Sequence, residues 1–237
     1  MGYYKVSVQP TSSVIGRITS VTLFGAFCYA ISSLYGADVL VDSVLKGDSE
    51  SFAVSNLFHG DELITFGNDT GVIRGVDHCM INRETGASTK WSRSETWLDG
   101  DYHFYIYSNL FDFADIQRLT ELVLKSGLGA KRSVGKGQFK LLGIDEADYI
   151  GNKVENPNSY MVISDYIPNK DDSTIGIYTA RVYRGATGGV EKAPIALINA
   201  GAKFTGKLSA KVVGRLEYDE LTNTYTCGRA LAVPILV

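Results

Sequence analysis

The order in which two amphipathic helices fall among β-strands constrains this chain more than any other feature. YYKVSV at 3–8 alternates like a strand. SVTLFGAFCYAISSLYG follows as a helix. Leu23, Phe24, Phe27, Ile31 and Leu34 recur at helical spacing, Thr19 or Ser20 offers a capping hydroxyl, and Gly36 offers a stop. ADVLVDSVLKG predicts a second short helix ending at Gly47. Residues 52–100 read as short strands and glycine-rich turns. YHFYIYS at 102–108 is dense in β-formers. DFADIQRLTELVLKSG lines Ile116, Leu119, Leu122 and Val123 along one side of a helix that Gly127 closes, and GQFKLLGI at 137–144 is the next strand. Strand, helix, strands, helix, strand is the order of an α+β, ferredoxin-like (RRM-like) unit, in which two helices cover one face of an antiparallel sheet.

The polar segment DEADYIGNKVENPNS then reads as a boundary. The expected division is 1–145, a ferredoxin-like lobe, and 146–237, a reduced lobe made of strands alone: SYMVISDY, TIGIYTARVYRG, APIALIN, KLSAKVVGRLEY and TYTCGRALAVPILV. In KLSAKVVGRL, alternation puts Lys207, Ser209, Lys211 and Arg215 on one face and Leu208, Ala210, Val212 and Leu216 on the other. The run from Lys192 to Leu216 holds five cations, among them Lys203, Lys207 and Lys211, and no acid.

A second acid-free run surrounds GLGAKRSVGKGQF (127–139), with Lys125, Lys131, Arg132, Lys136 and Lys140 in or beside four glycines, on a chain whose net charge is −3. Glycines admit φ > 0 and expose backbone N–H groups, and successive N–H groups in such a turn form a concave anion site. Lysines add attraction, and an arginine adds a bidentate fork for phosphate. The pattern suits a nucleic-acid backbone; the plain alternative is a glycine-rich connection with solubilising charges.

Other chemistries find little support. Gly129 and Gly135 are one residue too far apart for a P-loop, Lys136 is followed by Gly137 rather than a hydroxyl residue, and helix precedes strand, the reverse of the required order. The order also excludes a dinucleotide fingerprint. His59, His78 and His103 lie far apart, without zinc spacing, and no candidate catalytic residue or metal ligand emerges. In Asp77–His78–Cys79, adjacent strand residues point to opposite faces, so a nucleophile–base pair does not form there. Cys28, Cys79 and Cys227 are scattered, which fits a reducing, cytoplasmic setting. No stretch reads as a signal peptide or a membrane span. Trp91, Arg93 and Trp97 follow INRETGAST and could stack on unpaired bases.

Five stretches together carry a family resemblance: SVTLFGAFCYAISSLYG, FAVSNLF at 52–58, INRETG at 81–86, the loop GLGAKRSVGKGQF and the closing CGRALAVPI. The chain resembles the RAMP subunit four of Csm-type (type III-A) CRISPR effector complexes. That resemblance implies a RAMP fold of two ferredoxin-like or RRM-like lobes and no enzymatic activity; in this chain the second, strand-rich lobe is expected to be reduced to strands, and no cofactor or metal is expected. It also implies a subunit that holds the 5′ repeat-derived tag of the guide RNA (crRNA) beside the target RNA. Such a subunit bridges the large, polymerase-like signalling subunit to the backbone RAMP subunit. Carried over residue by residue, Gly127, Gly129, Arg132, Ser133, Gly135 and Gly137 match the loop, with Lys131 and Lys136 as its accompanying charges. Ser20, Thr22 and Gly25 match the start of the RNA-facing first helix. Asn82 and Arg83 match the turn of a candidate "thumb" hairpin in 72–100. The chain is shorter than most members, with the loss in the second half, and its 72–100 region is less basic. A RAMP endoribonuclease that processes precursor guide RNA is the alternative; the absence of any histidine before His59 counts against it. A ligand-binding enzyme would be told apart by pocket shape, and a pure scaffold by whether a short RNA of defined 5′ end copurifies.

Overall fold

The computed structural model describes residues 2–48, 50–65, 71–148, 154–169, 176–187, 189–206 and 210–236. In chain order the first part builds β1 (Gly2–Pro10), α1 (Ser20–Tyr35), a π-helical turn (Val39–Leu45), β2 (Phe52–Val54), β3 (Phe58–His59), β4 (Glu62–Leu63), β5 (Val72–Ile81), β6 (Ser88–Trp97), β7 (Tyr102–Ser108), α2 (Phe113–Ser126), a 3-10 turn (Arg132–Val134) and β8 (Phe139–Ala147). Six of these strands form one antiparallel sheet in the order β4-β3-β7-β1-β8, with β2 also paired to β7. The pairing sets Val6 opposite both Phe104 and Ile144. With β2 and β3 beside β7, the strands run in the ferredoxin-like order, and the architecture is α+β.

Alternation along the strands decides which side meets the helices. Val6 and Val8 on β1, with Tyr102, Phe104 and Ile106 on β7, join the core that also holds Leu23, Phe27 and Ile31 of α1 and Ile116, Leu119 and Val123 of α2. Phe27 is fully buried, its ring 5.5 Å from Phe52 and 6.2 Å from Phe104. Burying a ring of that size contributes about 3 kcal/mol. The helical spacing expected for α1 holds except at Leu34, which is 47% exposed. The start of α1 is fastened from outside. Thr19 is the N-cap without a side-chain bond, while the N–H of Ser20 donates to Asn56 Oδ1 at 2.7 Å. The segment FAVSNLF thus serves the helix as well as the sheet.

The expected short helix at 37–47 is a π-helical turn, with Lys46 N–H donating to Val41 O at 2.8 Å. Only Val44 of this turn is buried, so little packing holds it to α-helical pitch.

The later strands are β9 (Ser159–Val162), β10 (Gly176–Ile177), β11 (Ala180–Tyr183), β12 (Ala186–Thr187), β13 (Val190–Glu191), β14 (Ile195–Ile198), β15 (Lys203–Thr205), β16 (Val212–Val213), β17 (Leu216–Asp219), β18 (Thr224–Cys227) and β19 (Ala230–Ile235). Five of them form a second sheet, β10-β15-β9-β19-β16. No helix follows α2 except the 3-10 turn among the described residues. Tyr3, Ala53 and Tyr107 on the helix-free face of the first sheet pack with Ile163, Val212, Leu231 and Val233.

Of the cationic strand expected at 207–216, the described part, 210–216, is not one continuous strand. Lys207 lies outside the described residues, β16 covers two residues, and Gly214 at φ +83° turns the chain before β17.

Candidate nucleic-acid interface

The glycine loop is a folded structure fixed to the chain that leaves β1. Leu128 N–H donates to Gly137 O at 2.8 Å, Ala130 N–H to Ile15 O at 3.1 Å, and Gly137 N–H to Ser13 O at 2.9 Å. Gln138 N–H donates to Ser12 Oγ at 2.8 Å. These bonds need left-handed turns, and Gly129 (φ +85°) and Gly137 (φ +68°) supply them. At Gly137 a Cβ would overlap the Leu128 carbonyl, and at Gly129 it would stand 2.9 Å from Ile15 O. Lys131 itself is left-handed at φ +59°, which opens the 3-10 turn Arg132–Val134. Lys131, Arg132 and Ser133 are all exposed. Among the described residues, no backbone carbonyl accepts from the N–H groups of Arg132 and Ser133. An unpaired N–H pair beside a guanidinium and an ammonium is suited to a phosphate.

This turn faces α1 across an open groove of ≈ 730 Å³, lined by Tyr29, Gly129, Lys131, Arg132 and Ser133 among others. Tyr29 is 59% exposed. Sequence reasoning missed it because the helical core pattern draws attention to the other face; an exposed tyrosine four residues beyond Gly25 was the available signal. Gly25 is also exposed, with nothing within 4 Å of where a Cβ would stand. It lines a second cleft, of ≈ 710 Å³, with Cys28, Tyr183, Lys192, Tyr218 and Tyr225. Both hollows therefore open on the outer face of α1. The Cys28 thiol is raised well above its ordinary value by burial, and burial pushes Cys227 up to about 12, so neither is a nucleophile.

Lys136 has a different place from the one expected. Its Nζ is 2.7 Å from Glu95 Oε2 and 3.0 Å from Ser13 Oγ, and Ser13 Oγ donates to the same carboxylate oxygen at 2.6 Å. Glu95 is buried at 1% exposure. The hydrogen bonds from Lys136 and Ser13 hold its carboxyl below the ordinary carboxylate value against the opposing effect of burial. The charge of Lys136 is therefore compensated within the chain, and the loop's uncommitted cations are its neighbours.

Glu95 belongs to β6, so this ion pair ties the loop to a hairpin. β5 and β6 pair over ten rungs, from Val72↔Trp97 to Ile81↔Ser88, and are nearly all exposed. Ten residues make an arm about 30 Å long. Its base is further held by reciprocal bonds between Val14 and Thr96. Asn82 shapes the tip: its Oδ1 accepts from Glu84 N–H at 2.9 Å and Thr85 N–H at 3.2 Å. Arg83 is exposed there. Alternation puts Trp91 and Arg93 on the face that carries Glu95. The Trp91 ring is stacked on His78 at 4.4 Å and covered by the Arg93 guanidinium at 4.7 Å.

Other residues singled out in the sequence sit elsewhere. Ser20 is 2% exposed, and its Oγ accepts from Asp165 N–H at 2.9 Å. It joins α1 to the second half of the chain and offers no surface to RNA. Thr22 is half-buried and donates to Arg17 O at 3.2 Å. Lys203 is exposed on β15 of the second sheet. Lys211 lies at the far end of β1 from the loop, its Nζ 5.5 Å from the Tyr3 ring centre and 5.9 Å from that of Tyr107. The two basic runs of the sequence therefore do not merge into one surface.

Comparison with solved structures gives the fold its closest description. No family model and no curated protein matches the sequence. A chain from a Csm3–Csm4 subcomplex of the type III-A CRISPR–Cas interference complex superposes with a TM-score of 0.66 at 15% identity, covering 100% of both chains. A chain from a Csm1–Csm4 cassette in complex with AMPPNP gives 0.60 at 14% identity, covering 100% of this chain and 99% of that one. Csm4 is common to both. This chain has the Csm4 fold. The match runs over the full length, so the strand-rich second half belongs to the Csm4 fold as much as the ferredoxin-like first half. The expected α+β architecture is present.

Proposed function

We propose that this chain is a non-catalytic RNA-binding subunit of a type III CRISPR ribonucleoprotein, holding the 5′ repeat-derived tag of the guide RNA. In this reading it lies between the large subunit and the backbone RAMP subunit, as the names in the Csm1–Csm4 and Csm3–Csm4 complexes suggest. The observation that carries the proposal is the groove between the outer face of α1 and the glycine turn, on a Csm4 fold. Arg132 and Lys131 neutralise phosphate there, the turn's N–H groups direct it, and Tyr29 supplies a ring on which a splayed base stacks. The cleft at Gly25 continues the path along α1, where Tyr218 and Tyr225 offer further rings. The β5–β6 arm is tied to the same loop through Glu95 and Lys136 and is about 30 Å long; in this reading its tip lies beside the guide–target duplex. The division into 1–145 and 146–237 is part of this proposal. In this reading the groups of the groove hold RNA rather than cut it.

Expression with its genomic neighbours tests the reading. A short RNA with one defined 5′ end should copurify. RNA of random ends, or none, in a stably assembled complex contradicts it.

A further inference from the structure

The cleft at Gly25 has two walls of different character. Alternation along the β17–β18 hairpin puts Tyr218, Tyr225 and Cys227 on one face, with Tyr218 directly opposite Tyr225. Cys227 joins the core that holds Leu23 and Phe27 of α1, and Cys28 packs against that core, so this face of the hairpin meets the helix. The rings of Tyr218 and Tyr225 lie 5.0 Å apart, tilted by 49°. The opposite wall is a stripe of α1 at helical spacing, Val21, Gly25 and Cys28. Among the described residues no acid lines the cleft, and its cations are Lys46 and Lys192.

Two observations point to a flat ligand with acceptors on its edge. Glycine inside a helix is less stable than alanine, yet nothing stands within 4 Å of where a Gly25 Cβ would be. Packing within the chain does not call for this glycine; a planar group lying against bare helix backbone, opposite a tyrosine ring, does. The polar groups of the cleft are arranged as donors. Lys192 Nζ donates to Tyr225 O at 3.2 Å, which uses one of its three N–H groups. The Tyr183 hydroxyl converges with it: Tyr183 Oη and Lys192 Cδ stand 3.3 and 3.2 Å from the place of a Cβ on Gly185. Asn223 Oδ1 accepts from the Tyr218 hydroxyl at 2.6 Å, which leaves its amide N–H groups facing outward from that bond. Guanine presents two neighbouring acceptors, O6 and N7, on one edge, where adenine places an amino donor beside N7. An ammonium set against that amino group would lose its acceptor.

We propose that this cleft reads one guanine base of the bound RNA, with Tyr225 as its stacking ring and Lys192 as the donor to O6 and N7. The proposal rests on the reading of the chain as an RNA-binding subunit, and it separates two tasks along α1. The groove at Tyr29 and Arg132 holds the strand without reading sequence. The cleft at Gly25, one helical turn or about 6 Å away, discriminates between bases.

Titration of the purified full chain with short oligouridylates carrying one central guanine or one central adenine tests it. The guanine RNA should bind about tenfold more tightly than the adenine RNA. Lys192→Met should bring the guanine affinity down to the level of adenine. Gly25→Leu should do the same by filling the cleft, with an unfolding midpoint unchanged or higher, because leucine suits a helix better than glycine. Arg132→Ala should weaken both RNAs alike and keep their ratio. A ratio near one in the wild type, with binding that Arg132→Ala still weakens, overturns the guanine cleft and leaves the RNA reading standing. A guanine preference that survives both Lys192→Met and Gly25→Leu also overturns it, since the discrimination then lies elsewhere. If neither RNA binds, the RNA reading fails and the guanine cleft fails with it.

Discussion

Replacing Lys136 with methionine should expose how the glycine loop is built. The substitution keeps most of the side chain's length and removes the ammonium, leaving the buried Glu95 carboxylate, among the described residues, with Ser13 as its one remaining hydrogen-bond partner; Glu95 Oε1 already has none there. An unpaired buried carboxylate costs about 3–5 kcal/mol if it stays ionised. The variant can instead protonate Glu95. From the ordinary value of 4.5, protonation at pH 7 costs about 3.5 kcal/mol. The cheaper route sets the loss, and the 25% exposure of the Lys136 side chain lets water soften it, so about 2–3 kcal/mol is expected at pH 7. At pH 5 the same arithmetic gives less than about 1 kcal/mol. The sign follows from the lowered folded pKa of Glu95: its stabilisation is present above 4.5 and fades as pH falls through the folded value. Urea unfolding of both proteins at pH 7 and pH 5 measures this. A pH-independent loss, or none, would refute the account. The double variant Lys136→Met with Glu95→Gln should recover part of the stability at pH 7.

Gly137→Ala should disrupt the loop, since the new Cβ overlaps the Leu128 carbonyl, whereas Gly135→Ala meets nothing within 4 Å and should cost only about 1 kcal/mol for its φ of +81°; unfolding midpoints of the two variants separate these outcomes. His103 titrates near 4 rather than 6.5, chiefly because it is buried and then because of Lys5, against Asp61. The unfolded chain therefore takes up a proton near 6.5 and the folded chain only near 4, so stability should fall across that window by about 1–2 kcal/mol after allowing for partial exposure. His103→Gln should flatten that slope, and an unchanged slope would contradict it. Tyr29→Ala should weaken RNA binding about tenfold by removing one stacking platform, with unfolding unaltered; gel-shift titration beside a melting curve checks both.

The architecture was legible because two helices with clean periodicity, Leu23–Phe27–Ile31 and Ile116–Leu119–Val123, flank the strands that become β1, β7 and β8. The hairpin entered through the resemblance, as a turn at Asn82 and Arg83 in 72–100; its ten-rung extent was not legible, since its exposed faces lack the burial that makes alternation visible. Pairings between distant segments were beyond a linear reading. Nothing in the sequence links Lys136 to Glu95, or Ser20 to Asp165, so a compensated lysine and a buried serine both looked like surface groups. The alternation read in 207–216 does not carry through its described part because it presumes one continuous strand, and Gly214 bends that one. Tyr29 was hidden by its place on the solvent side of α1.

The central claim is that Lys131 and Arg132 meet RNA phosphates across the groove from Tyr29. The direct test is tag-RNA affinity over a salt series for the assembled complex and its variants. For single-stranded RNA each neutralised phosphate contributes roughly 0.7 to the slope of log affinity against log salt. Arg132→Ala and Lys131→Ala should each make the slope shallower by about 0.7 and together by about 1.4. Lys136→Ala, whose charge Glu95 already compensates, should leave the slope unchanged in whatever fraction stays folded. Equal slopes for wild type, Lys131→Ala and Arg132→Ala would contradict the assignment of the groove to RNA.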